Sequence, residues 1–220
     1  MRHYHLVAMS LLCTAMALGG CATNRSELQI GAGPSSQSRS TNVSAPTAVI
    51  RSVKDERIFE QAPRQANIPS LGFEGATQAT AETKLRAIGR KRNGYGMALG
   101  DVLLQDGQTV ESVVRENLAS ALQDAGYNVR TGGTLDNASL VIDVRIKEFW
   151  AWIHPGFWSI TVNTDISTDL MLSTMPNSIP VVVHVKDPQQ IVTDSAWIEA
   201  IGKGLEAFRH EAARKLPAAK

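Results

Sequence analysis

The chain has 220 residues, 43% hydrophobic and 20% charged, with 22 Lys and Arg against 21 Asp and Glu, for a formal net charge of +1. That balance argues against a general nucleic-acid binder, which needs a basic surplus to displace counterions from phosphate. The length suits one domain with a proper hydrophobic core.

Arg2, His3 and His5 make a weakly basic start, and Leu6 to Leu18 is an apolar run of about a dozen residues, too short for a permanent transmembrane helix. Gly19 and Gly20 leave room for a signal peptidase. Leu18-Gly19-Gly20-Cys21 resembles the lipobox of bacterial lipoproteins at all four positions. The resemblance implies cleavage before Cys21, a diacylglyceryl thioether on its sulfur and usually a third acyl chain on its amine. Two or more chains, at about 0.8 kcal/mol per buried methylene, make a stable anchor. The alternative is an ordinary secretory signal with a chance cysteine. Processing would remove Arg2 and Cys13, leaving 21 basic and 21 acidic residues and Cys21 as sole cysteine. A lipidated sulfur cannot enter a disulfide, so stability must come from packing.

Residues 22–47 are punctuated by Gly31, Gly33, Pro34, Ser35, Ser36, Ser38, Ser40, Ser44 and Pro46 and read as a flexible tether. The expected organisation is a signal peptide over 1–20, a lipidated cysteine and tether over 21–47, and one periplasmic domain over 48–217. No later segment is apolar and long enough to cross a membrane.

Within the domain, Ala48 to Val53 is a β-prone run followed by Lys54-Asp55-Glu56-Arg57. Residues 60–84 are loop-like, with a helical turn at Thr80–Ala87, and Ile88 to Leu104 reads as broken strand. Thr109 to Ala125 is the clearest helix, with Val110, Val113, Val114, Leu118, Ala121, Leu122 and Ala125 on one face. Thr109 is its N-cap and Gly126 its C′ residue. Tyr127–Arg130 follows as a short strand. Leu140–Ile153 and Phe157–Leu172 alternate apolar and polar residues and form a long antiparallel hairpin around His154-Pro155-Gly156. Val181–Val185 is a further strand. Thr193–Leu216 is the closing helix, striped by Trp197, Ile201, Leu205, Phe208, Ala212 and Leu216. The fold class is α+β: an antiparallel sheet with a long hairpin and two amphipathic helices packed on one face. Leu118 and Leu122 are expected to meet Val162 and Ile166.

Candidate sites are few. His154, His184 and His210 are scattered with no cysteine or acidic pair at ligand spacing, so no metal or cofactor is expected. No Gly-x-Ser-x-Gly elbow, triad or P-loop occurs. Asp55-x-Arg57 places both side chains on one side of an extended chain and suits a structural ion pair pinning the long loop. Arg90-Lys91-Arg92 reads either as a solvated turn or as a basic loop for anionic envelope material. Phe149, Trp150, Trp152, Phe157 and Trp158 cluster at the hairpin tip. Either this tip overhangs the helices as a binding surface, through Trp150, Trp152, Phe157 and Trp158, or residues 60–87 fold over it as a satellite core.

The lipobox, Asp55-x-Arg57, Ile68-Pro69-Ser70-Leu71-Gly72, the Val110–Gly126 helix with Tyr127-Asn128-Val129, and the strand from Leu140 together resemble the YajG-like lipoprotein family over residues 45–216. That resemblance implies an envelope-anchored accessory module without a settled activity. The expected function is a non-enzymatic binding or accessory lipoprotein, held by Cys21 and working with an envelope protein partner, with no nucleic acid. The other reading is a hydrolase or transferase acting on envelope material. Ala22 lacks the aspartate that, by resemblance to enterobacterial lipoproteins, favours inner-membrane retention. The expected location is therefore the periplasmic face of the outer membrane, with the inner membrane as alternative.

Overall fold

The computed structural model describes residues 25–31, 45–72, 75–93, 95–130 and 139–219. The signal peptide, the Leu18–Cys21 lipobox and most of the expected tether lie outside them. The described residues form eight strands: β1 (Ser26–Leu28), β2 (Thr47–Asp55), β3 (Ala87–Arg92), β4 (Ala98–Leu104), β5 (Asn128–Arg130), β6 (Leu140–Pro155), β7 (Ile160–Leu172) and β8 (Ile179–Gln189). Three helices accompany them: α1 (Ala81–Arg86), α2 (Val110–Asp124) and α3 (Asp194–Lys215). The class is α+β, as the periodicities predict.

The spine of the sheet is β6. Along one edge it pairs antiparallel with β7, which pairs antiparallel with β8. Its other edge is shared by two strands. Its first half pairs parallel with β2, from Ala48 opposite Leu140 to Asp55 opposite Ile146. Its second half meets β3 where Gly89 lies opposite Ala151. β4 then pairs antiparallel with β3, β1 parallel with β4, and β5 parallel with β2. The long hairpin is thus present, and parallel pairings join the antiparallel ones where β2, β3 and β1 enter.

Two bulges decide which residues face inward. In β6 the ladder to β7 skips Lys147, between Ile146 and Glu148. Before the bulge, Leu140, Ile142, Val144 and Ile146 enter the main core; after it, Phe149 and Ala151 do. Because strand side chains alternate, one extra residue exchanges the faces. β2 has the same device at Arg51, between Ile50 and Ser52, so its core residues run Ala48, Ile50, then Val53.

The main core lies between the sheet and the two long helices. α2 starts at a capping box, Thr109 and Ser112 bonding each other's backbone N–H groups at 3.1 and 3.0 Å. It ends before Gly126, whose φ of +95° is the left-handed conformation that terminates helices. Its buried face carries Val110, Val113, Val114, Leu118 and Leu122. α3 presents Trp197, Ile201, Leu205 and Phe208 to the same core, and Gly204 lets it approach β7: a Cβ there would stand 2.7 Å from Thr164 Cγ2. One expectation is corrected here. α2 lies over β2 and β5, while α3 covers β7 and β8. Val162 and Ile166 therefore sit beneath α3, in one continuous core with Leu118 and Leu122 rather than directly under α2. The hairpin is wide enough to need a helix of its own.

A second correction concerns the tether. Residues 25–31 do not form part of a free linker: β1 is bound to the edge of β4, and Leu28 and Ile30 are buried in the main core. Gln108 fastens this segment by exchanging two hydrogen bonds with the Ile30 backbone, at 3.1 and 2.8 Å. Two apolar residues spaced by one, in a Ser- and Gly-rich stretch, suffice for a short edge strand.

Leu118 is fully buried. Leu118→Ala should cost about 2–5 kcal/mol in a urea melt; a loss under about 0.5 kcal/mol would show that this helix face is not core.

Candidate binding surfaces

Where β2 leaves β6 after Asp55 and before β3 arrives, the edge of β6 is open. Glu56 N–H donates to Ile146 O at 3.0 Å, and the next residue, Arg57, turns its side chain into the gap. Its Nη1 donates to Phe149 O at 3.0 Å and to Ala87 O at 2.5 Å, and its Nη2 to Lys84 O at 2.8 Å. Asp55 receives its Nε and Nη2 at 2.8 and 2.7 Å. The guanidinium is fully buried and lies 5.2 Å from the Phe59 ring centre. Asp55 and Arg57 thus form an ion pair that ties β2, α1, β3 and β6 together. Asp55 in turn accepts a backbone bond from Arg57, and its own N–H donates to Glu111 on α2.

The Arg90-Lys91-Arg92 triplet occupies β3, and the reading as a solvated turn or exposed basic loop is corrected. Arg90 is buried and donates to Ser70 Oγ at 3.2 Å and to Gly72 O. Arg92 donates to Pro63 O and Gly96 O, each at 3.1 Å, and to Ser70 Oγ at 3.3 Å. Both hold the 60–72 loop on the sheet, and burial lowers both pKa values. Lys91 points to the opposite face, where its Nζ donates to Ser26 Oγ at 2.6 Å and lies 3.5 Å from Asp194. Three charges in a row are a solvated face on a turn. In a strand the alternation sends Arg90 and Arg92 under one layer and Lys91 under another.

Beside Arg90 a cleft of about 430 Å³ opens, bordered by Arg25, Gly75, Thr80, Thr83 and Asp101. Asp101 is buried; it accepts Gly72 N–H at 2.9 Å and Arg25 Nη2 at 3.4 Å. Sequence reasoning missed it, although a carboxylate inside the apolar run Leu99–Leu104 was the available signal. Arg90 Nε is buried, has no hydrogen-bond partner among the described residues and lies 4.0 Å from Asp101.

The aromatic cluster splits in two. Trp150 is buried on the second face of the sheet with Leu71, Ala87 and Leu103, packed by Phe59, Ala79 and Trp152. Its Nε1 donates to Ala66 O at 3.1 Å, and Phe59 meets it edge-on at 6.1 Å. The loop does fold over this part of the hairpin, so the expectation that Trp150 belongs to a binding surface is corrected. Trp152 is half-buried, 5.9 Å from the His184 ring, and His184 bonds Asp165. Phe157 and Trp158 are bare, stacked edge-to-face at 4.8 Å beyond the loop's reach. Among the described residues no three His, Cys, Asp or Glu side chains converge as a metal-binding group, and no helix is long and apolar enough to cross a membrane.

No family model matches the chain, and no curated protein does. Among the solved structures that resemble it are the following three. One is a Xanthomonas campestris protein of the DUF330 family, 11% identical, with a TM-score of 0.43 over 87% of this chain and 93% of that one. Another is an uncharacterised protein, 12% identical, with a TM-score of 0.39 over 77% and 95%. The third is a Helicobacter pylori protein named as a neuraminyllactose-binding hemagglutinin homologue, 12% identical, with a TM-score of 0.36 over 87% and 92%. Similarity at this level assigns no activity and no residue role.

Two stability contrasts follow. Arg57→Met should cost about 3–5 kcal/mol, because it strands the Asp55 carboxylate and the Phe149 carbonyl; a near-neutral urea midpoint would show the notch is solvated. Trp150→Ala should cost about 3–5 kcal/mol, whereas Phe157→Ala and Trp158→Ala should stay within about 0.5 kcal/mol of the parent. Equal losses at all three would mean that the whole tip is packed.

Proposed function

We propose that this chain is a lipid-anchored protein of the bacterial envelope that serves as a non-enzymatic binding or accessory module. The observation that carries the reading is Leu18-Gly19-Gly20-Cys21 directly after a short apolar run. The YajG-like resemblance supports it, and so does the bare aromatic pair Phe157 and Trp158, a chemistry common at binding hot spots and membrane interfaces. Ala22 after the lipidated position supports the periplasmic face of the outer membrane. The partner is an envelope protein, and accessory service to a transport or surface-assembly machine is the role proposed.

Cys21→Ser tests the anchor. The variant should accumulate as a soluble or uncleaved form and take up no labelled palmitate. A fully processed variant still pelleting with membranes would overturn the reading. Mild crosslinking of the lipidated chain in cells tests the accessory role, and one stoichiometric envelope partner is expected. Reproducible turnover of a cell-wall fragment by the purified chain would instead favour the hydrolase or transferase reading.

A further inference from the structure

Five large apolar side chains stand bare at one end of the sheet. The β3–β4 turn, closed where Arg92 pairs with Ala98, carries Tyr95 and Met97. β3 runs parallel to β6 with Gly89 opposite Ala151, so that turn reaches the same end as the β6–β7 turn with Phe157 and Trp158. β8 also finishes there, because Gln189 pairs with Ile160, and Ile191 follows it. Tyr95 is 95% exposed, Phe157 90%, Trp158 84%, Ile191 73% and Met97 63%. Single exposed apolar residues are ordinary, but five gathered by register at one end mark a contact surface.

The chain enters the domain at this same end. β1 runs parallel to β4 with Ser26 opposite Val102, which puts Arg25 beside Asp101, three residues into β4 from Ala98 and on the side of Ser26 that faces the Tyr95 turn. β1 is held in place: Ser26 Oγ donates to Asp194 Oδ1 at 2.6 Å, and Lys91 Nζ donates to Ser26. Three residues, Ala22, Thr23 and Asn24, lie between Cys21 and Arg25, a leash whose four Cα-to-Cα steps reach no more than about 14 Å at full extension.

We propose that this end of the sheet is a membrane-seating surface, with Tyr95, Met97, Phe157, Trp158 and Ile191 entering the boundary between headgroups and acyl chains. The proposal rests on the lipid-anchor reading and adds an orientation to it. The acyl chains on Cys21 hold the domain by a leash too short to let it turn away. Tyrosine and tryptophan favour that boundary, where a ring is buried and its polar atom stays wet. The carboxylates nearest the turns do not oppose anionic lipid: Asp101 faces Arg25, Asp187 bonds Lys203 at 2.7 Å, and Asp194 lies beside Lys91. The broad faces of the domain then project into the periplasm, free for a partner.

The test uses the lipidated chain purified from membranes, its acylation read by mass spectrometry. It is reconstituted into phosphatidylethanolamine and phosphatidylglycerol vesicles with brominated acyl chains. Tryptophan fluorescence should be quenched, and Trp158→Phe should remove most of the quenching, because Trp150 and Trp197 are buried and Trp152 is half-buried. A Tyr95→Ser, Met97→Ser, Phe157→Ser variant that keeps Trp158 and the parent Tm should be quenched less. An acylated chain without quenching, or with quenching unchanged by Trp158→Phe, overturns the seating and leaves the anchor intact. An unacylated chain overturns both. Shielding of Trp158 from iodide in detergent, with the mass of a dimer, would assign the surface to a second copy and overturn the proposal.

Discussion

The buried guanidinium of Arg57 is the constraint on which the sheet depends. A single long strand, β6, has one edge served in turn by β2 and β3, and two strands cannot abut end to end without leaving backbone groups unpaired. An open carbonyl in a dry interior costs about as much as a lost hydrogen bond, on the order of 1–3 kcal/mol. Arg57 supplies rigid, planar donors to three carbonyls from three segments while Asp55 balances its charge. Lysine has neither the fork nor the reach in several directions to do this. The pair is local in sequence but joins elements from across the domain.

Around that junction the domain has two layers of burial on one sheet. One face is covered by α2 and α3 throughout. The other is covered only over β3, β4 and the second half of β6, where the loop from Phe59 to Ala79 packs on Trp150. The bulge at Lys147 makes the double covering workable, because it turns Trp150 toward the loop and Phe149 toward the helices. Arg90 and Arg92 then fasten the loop from below. A basic triplet and an aromatic cluster, which look like recognition elements in a linear chain, are largely the fasteners and filling of this second layer.

Helices and the long hairpin were legible because their signals are local: the stripe on α2, its threonine cap and Gly126, and the alternation along β7. The capping box shows how little tertiary information such an element needs. Strand partners were not legible. Nothing in Ser26–Leu28 announces a parallel pairing with Val102–Leu104, residues distant in the chain. The same limit applied to the candidate surfaces. Asp55 and Arg57 could be paired from a spacing of two, whereas the fates of Trp150 and Trp158 depended on a bulge and on where a loop ends. Tyr95 and Met97 in one turn and Ile191 in another give no joint signal in the linear chain; only the register gathers them with Phe157 and Trp158.

The outer strand β8 carries Pro180 and Pro188 near its two ends, opposite Asp169 and Thr161 of β7. Proline has no N–H to donate and is admitted to a strand where that position faces away from its neighbour. The free margin of β8 therefore lacks a donor at both ends, and Lys186 adds a charge between them. A strand from another molecule that tried to extend the sheet there would find only a short stretch able to bind it. Copies that meet, as the proposed lipid anchor would make them do on one membrane, are kept by this margin from growing into continuous β-structure.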